Sequence, residues 1–360
     1  MIKPESEVSA RNNTRVTWID AAKFTAILAV IVDHGHSAGL YQNISYKYLS
    51  LFSVPLFILL MGMNAFWSCR RQTFRISKKL RDILRPYLMA VFLYKLYDKK
   101  GSFDLEFYLH ELINVTRTSH FYFVLLYIQL ILIAPLLFRL LNTAEGKKDS
   151  HLREILSVTA AAVFSVWTTN STNIFSAYAG GGKLFGGTFL VLFILGMLFA
   201  KYHGSIRLKE AQAAVLFALS LALTVGCAVF IVRDQYHFDA SLPFGAVTNP
   251  PGIILSLYSI LIMLTVFFCG QILSFHPSGP VTAVFRFISG LGRHTYYIYL
   301  YHCLFLFSIL PDLTRNFTGN FKLLRFAYFP ILIFVPILIE YLMRFLYRKL
   351  IIESYFPGKK

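Results

Sequence analysis

The chain has 360 residues, of which 56% are hydrophobic, 16% aromatic and only 15% charged, with a mean hydropathy of +0.57. Soluble domains carry roughly 25% charged residues, so this composition excludes a soluble globule and describes one membrane domain with no appended soluble enzyme. The formal charge of +17 comes with no nucleic-acid motif. It reads as Lys and Arg gathered on the cytoplasmic face of a membrane, and no nucleic-acid partner is expected.

A helix that crosses the bilayer needs about 20 mostly apolar residues. On that rule spans are expected near 17–38, 46–67, 83–98, 121–141, 153–170, 185–201, 211–232, 252–275, 294–310 and 324–347. The expected fold is therefore all-α, a polytopic membrane bundle of about ten transmembrane helices. A cytoplasmic N-terminal segment, 1–16, precedes the transmembrane domain, 17–348, and a cytoplasmic tail, 349–360, follows it. The apolar run after residue 16 has no small-residue cleavage site, so the first span is expected to stay in the mature protein. Residues 102–114 (SFDLEFYLHELIN) read as a short amphipathic segment on the surface.

With ten spans, twenty-four Lys and Arg residues fall on the N-terminal side of the membrane and ten on the other. This asymmetry places both termini in the cytoplasm. No internal repeat is visible, which weighs against a transporter built from symmetric halves. Cys69, Cys227, Cys269 and Cys303 lie in or beside apolar runs without metal-type spacing. They read as small hydrophobes, and neither a disulfide nor a metal site is expected.

The first span, TWIDAAKFTAILAVIVDHGHSAGL, carries Asp20, Lys23, Asp33 and His34. Each ionisable residue inside a membrane costs roughly 2.5–3.5 kcal/mol on insertion scales, so a helix that keeps four of them needs a reason. At about 100° and 1.5 Å per residue, Lys23 and His34 fall within about 20° of each other, about 16 Å apart along the axis. Asp20 lies on the same side, whereas His36 is turned about 200° from His34. One stripe thus carries a carboxylate, an ammonium and an imidazole.

An imidazole titrates near neutrality, so His34 can act as general base toward a hydroxyl. Lys23 can pair with Asp20 or meet a donor phosphate or carbonyl. The plainer reading is that Lys23 snorkels to the interface and His34 bonds within the bundle. A rival function is a transporter in which Asp20, Lys23, Asp33 and His34 form an ion and proton relay.

Farther along, His120 opens the fourth span and His302 lies in the ninth. Either could line the same polar cavity, although capping or cross-linking of helices is the preferred reading. Tyr296, Tyr297, Tyr299 and Tyr301 form a dense run whose default is an interfacial belt or packing. The loop 69–85, CRRQTFRISKKLRDILR, is strongly basic. Arg75, Lys78 and Lys79 are its candidates for contact with a polyanionic nucleotide. The glycines of AYAGGGKLFGG lack a following GK[ST] and read as loop punctuation. Neither a GxSxG elbow nor an HExxH helix is present.

Five blocks in order resemble the acyltransferase-3 family of membrane acyltransferases, over nearly the full length. The first span resembles the family's opening pattern through Asp20, Lys23 and His34, with lysine in place of the commoner arginine, as in a branch with fucose O-acetylase-like members. FSVPLFILLMG resembles the proline-and-glycine block of the second span through Pro55 and Gly62, with Met61 where serine is common. TSHFYFVLLYIQLILIAPLL, GGTFLVLFILGMLFAKY and ISGLGRHTYYIYLYH resemble the fourth span, the sixth span and the late glycine-to-histidine block. His120 is followed by Phe121 and Tyr122 where tryptophan is frequent.

The resemblance implies an O-acyltransferase that moves an acyl group, often acetyl, from cytoplasmic acetyl-CoA onto extracytoplasmic carbohydrate. Acetyl-CoA would be a co-substrate rather than a permanently bound cofactor. It also implies that His34 is the catalytic residue and that Lys23 serves donor binding or catalysis. The expected acceptor is a cell-surface polysaccharide or its lipid-linked sugar precursor, and the expected location is a multi-pass position in a bacterial inner membrane.

Overall fold

A computed structural model describes residues 16–40, 43–98, 104–114, 119–142, 148–170, 187, 189–233, 253–314, 321–347 and 349. Among them there is no strand. Helix α1 (Thr17–Ser37) is followed by α2 (Ile44–Ser50), α3 (Ser53–Arg70), α4 (Ile76–Asp98) and α5 (Leu105–Asn114). A short 3-10 turn, Ser119–Phe121, leads into α6 (Tyr122–Leu141), then α7 (Lys148–Asn170), α8 (Leu190–His203), α9 (Glu210–Arg233) and α10 (Ile253–Phe275). The last part contains α11 (Pro280–Leu291), α12 (Thr295–Leu304), a π-helical turn Phe305–Ile309, α13 (Leu310–Thr314) and α14 (Phe321–Tyr347).

Helix is the expected answer for an apolar chain in a bilayer, because lipid offers no partner to a backbone N–H or C=O. Proline is accordingly carried inside α4 (Pro86), α6 (Pro135) and α14 (Pro330, Pro336). Asn43 caps α2 by accepting from the backbone N–H of Ser45 at 2.9 Å. Among the described residues, five stretches are long and apolar enough to cross a membrane: Ile44–Arg70, Tyr122–Leu141, Glu210–Arg233, Ile253–Phe275 and Ala327–Tyr347. The protein is thus an integral membrane protein with an all-helical fold.

The remaining expected spans correspond to helices that fall short on a physical ground. Charges interrupt α1 and α4, α7 begins among charges, α8 is only 14 residues long, and the ninth is broken by its π turn. The segment 102–114 forms α5, which folds back on α4: the Tyr87 hydroxyl donates to the Leu112 carbonyl at 2.9 Å and that of Tyr108 to Leu88 at 3.1 Å. One helix was not expected. α11 opens on Pro280 at a first-turn position, where proline lacks only a donor that would be orphaned anyway. At 12 residues it is too short to register as a span. The terminal residues 1–15 and 351–360 and the glycines at 180–182 and 186 lie outside the described residues.

Helix α1 sits at the centre, packed against α3, α10, α11 and α12. Small residues let its neighbours approach. A Cβ at Gly292 would overlap the Asp20 carbonyl, and one at Gly270 would press on the Trp18 Cβ. The Ser289 hydroxyl closes this contact by donating to the Thr17 carbonyl at 2.9 Å. α3 and α8 touch still more closely, because Gly62 lies against the Phe193 carbonyl and Gly196 against that of Leu59. Close backbone approach at small residues is a main source of helix association in lipid, where apolar side chains have little reason to leave the tails. At the periphery α9 and α14 expose Val215, Leu219, Val229, Leu338 and Phe345, as lipid-facing helices should.

Gly196→Ala is expected to force α3 and α8 apart and to cost about 1–3 kcal/mol. Gly226→Ala in α9, where a Cβ would meet nothing within 4 Å, is expected to be neutral or mildly stabilising. Thermal unfolding of the two variants in detergent distinguishes them, and equal melting temperatures would contradict close packing of α3 on α8.

Candidate active site

Both ends of the polar stripe on α1 face protein. Near its start the Asp20 side chain is almost fully buried and accepts from the Lys23 ammonium at 3.1 Å, while Lys23 stays about one-quarter exposed (26%). Near its end the His34 ring packs against two other imidazoles, which also touch each other. The ring centroid of His302 lies 5.1 Å away and that of His120 6.1 Å away, and His120 and His302 are 5.7 Å apart. The edge of Phe307, from the π turn, closes on His34 at 6.1 Å.

Three separate elements deliver these rings. α1 carries His34, the 3-10 turn before α6 carries His120, and α12 carries His302, which is fully buried. The His302 Nδ1 lies 2.8 Å from the Tyr299 carbonyl and 3.1 Å from that of Ile298. Carbonyl oxygens only accept, so Nδ1 carries the proton and Nε2 presents its lone pair. That lone pair meets the Cys303 Sγ at 3.2 Å.

His120 is held from two sides. The Tyr299 hydroxyl donates to its backbone carbonyl, and its Nε2 lies 3.4 Å from the Tyr94 hydroxyl, which itself donates to the Leu300 carbonyl at 3.2 Å. The tyrosine run therefore packs within the bundle instead of forming an interfacial belt. Tyr299 and Tyr301 are buried, and Tyr296 donates to the Ile83 carbonyl at 2.9 Å.

Other candidate positions separate into two groups. Asp33 adjoins His34 in the chain, and one of its carboxylate oxygens, Oδ1, is buried without a hydrogen-bond partner among the described residues. Lys79 is half-buried, with Asp82, Lys23, Lys78 and Arg71 as its charged neighbours. It therefore belongs with the Lys23 end of the stripe. Arg75 and Lys78 are exposed. His36 is half-buried.

Two participants escaped sequence reasoning. Tyr94 gave no signal, because its role depends on α4 lying beside α12. Cys303 left a faint one, the adjacent His302–Cys303 pair, yet it reads as a small hydrophobe within an apolar helix. All four cysteines are free thiols. The donor atoms of His34, His302 and Cys303 lie within 4.8 Å of one another, so among the described residues these three could hold a metal ion.

Among the described residues, two further clusters built on buried carboxylates tie helices together away from this point. Lys201 of α8 pairs with Glu154 of α7 and donates to the Leu141 carbonyl at 2.9 Å. His294 meets Glu340 of α14 at 2.7 Å, and Arg344 completes that group.

An apolar helical bundle that closes around converging imidazoles and a buried ion pair defines an integral membrane protein with a polar intramembrane site. The chain matches the family model of the acyltransferase-3 acyltransferase domain over residues 16–345 and belongs to that family. It is a membrane acyltransferase. Comparisons with curated proteins and with solved structures found no match.

Tyr94→Phe is expected to leave the Leu300 carbonyl and the His120 ring each short of a partner, at a cost of about 1–3 kcal/mol. A lowered melting temperature checks this, and an unchanged one would show that neither contact contributes to stability.

Proposed function

We propose that this protein is an O-acetyltransferase that moves acetyl from acetyl-CoA to a hydroxyl of a cell-surface polysaccharide or its lipid-linked sugar precursor. The observation that supports this reading is the inward-facing stripe of α1, with an imidazole cluster at one end and the Lys23–Asp20 pair at the other. In this reading ten spans cross a bacterial inner membrane, both termini lie in the cytoplasm, and His34 stands in the outer half of the bilayer.

His34 takes the proton of the acceptor hydroxyl, and the oxygen attacks the thioester carbonyl. His120 and His302 line the place where the two reactants meet. Lys23, held by Asp20, faces the donor. Lys79 adds charge beside it, while exposed Arg75 and Lys78 collect the CoA phosphates from the cytoplasm. Alignment of donor and acceptor in a water-poor site is the protein's main contribution to rate.

Purified protein is expected to transfer acetyl from acetyl-CoA, and His34→Ala to lose about 10²–10⁴-fold in turnover while keeping its melting temperature. A transporter using the same polar residues as a relay would show no acetyl transfer in either form, and that result would overturn the reading. Lys79→Met is expected to raise the KM for acetyl-CoA with little change in kcat, more strongly at low salt than at high. A KM that is indifferent to both the substitution and ionic strength would remove Lys79 from the donor path.

A further inference from the structure

Cys303 is a buried thiol that direct transfer from donor to acceptor does not use. We propose that Cys303 carries the acyl group as a thioester between donor and acceptor, with His302 as its base. This rests on the acyl-transfer reading above and adds a covalent step to it.

Three features of the site support the assignment. The Sγ of Cys303 lies 3.2 Å from His302 Nε2, within reach for proton transfer. The opposite ring nitrogen of His302 is locked as a donor by the carbonyls of Tyr299 and Ile298. Nε2 is therefore obliged to accept, and the thiol is what it accepts from. A nucleophile, a base and a group that orients the base form the usual signature of covalent catalysis.

The third feature is position. Cys303 shares one cluster of donor atoms with His34 and His302, so the thiol stands beside the proposed acceptor base. α12 ends one residue later and gives way to the π turn Phe305–Ile309, an uncommon backbone form that recurs at functional sites.

A metal ion is the other occupant that this donor set suggests. Zinc–nitrogen and zinc–sulfur bonds in a tetrahedral site hold their ligand atoms about 3.6 Å apart. The 3.2 Å separation of Nε2 and Sγ is shorter. It suits a hydrogen bond between the two, and metal is an outcome of the test below.

The chemistry balances in two steps. In the first, the Cys303 S–H proton passes to His302 Nε2 as sulfur attacks the thioester carbonyl. The carbon–sulfur bond to CoA breaks, and the departing CoA thiolate takes the proton from His302. In the second, His34 takes the proton of the acceptor hydroxyl and the oxygen attacks the Cys303 thioester. The carbon–sulfur bond to Cys303 breaks, and the thiolate is reprotonated by the imidazolium of His34. Exchange of one thioester for another preserves the transfer potential of the acyl group. CoA can then leave before the acceptor arrives.

The test uses purified full-length protein with radiolabelled acetyl-CoA and no acceptor. One equivalent of CoA should be released per chain, with a hydroxylamine-labile label that peptide mapping places on Cys303 and not on the other three cysteines. His34→Ala should still take up the label but fail to pass it on. Cys303→Ala should lose the label and at least about a hundredfold in turnover, and Cys303→Ser, checked for an unchanged melting temperature, should confirm that folding is not the cause. Initial rates at varied donor and acceptor should give the parallel-line pattern of a ping-pong enzyme.

Full turnover by Cys303→Ala, or a label on another residue, would overturn the relay while leaving acetyl transfer through His34 intact. One equivalent of bound zinc in the purified protein, lost in Cys303→Ala together with activity, would overturn it in favour of a metal site. Absence of acetyl transfer by the wild type would instead remove the function on which the relay rests.

Discussion

Charge inside a bilayer must be answered by protein, and that constraint organises this molecule. α1 carries Asp20, Lys23, Asp33 and His34 through a region where each would be expensive against lipid. The structure meets this by making α1 the central helix. Its neighbours α3, α10, α11 and α12 cover it, and the buried Asp20 carboxylate is paired with Lys23 at 3.1 Å. Peripheral helices such as α9 and α14 carry the apolar exposure that the central one cannot.

Covering a helix that closely requires backbones to approach, which explains where the glycines fall. Gly270 and Gly292 press α10 and the turn after α11 onto the first half of α1, while Gly62 and Gly196 lock α3 to α8. At each of the four a side chain would meet an atom already in place. The second half of α1 is gripped differently, by imidazole rings from α12 and from the turn before α6 and by the Phe307 ring of the π turn. One end of the helix is thus fixed by backbone contact and the other by side chains. The second kind of contact leaves room for the ring nitrogens and the Cys303 sulfur to face one another.

Legibility in the chain varied with the range of the interaction involved. The apolar runs marked ten stretches, each of which contains helix, because span length is a local property, although among the described residues five qualify as spans on their own length and composition. α5 was visible as an amphipathic stretch, and α11 was missed because twelve residues fall below the length that marks a span. Tyr296 to Tyr301 were read as a belt or as packing, and packing won because α12 lies inside the bundle, where the Tyr296 and Tyr299 hydroxyls donate to the carbonyls of Ile83 and His120. The two preferred cross-linking histidines proved to share a cluster with His34, an outcome that neither of their local contexts contains.

By itself the sequence determined that this is a helical membrane protein and that its first helix bears a polar stripe, since hydropathy and a 3.6-residue period need no knowledge of neighbours. Only tertiary structure decided that residues 34, 120 and 302 meet, that Tyr94 holds one of the rings and that Cys303 joins them. The physical reason is that these contacts depend on the rotation and depth of each helix against the others. Those are set by close packing at scattered glycines and by hydrogen bonds between distant segments, and no single helix records them.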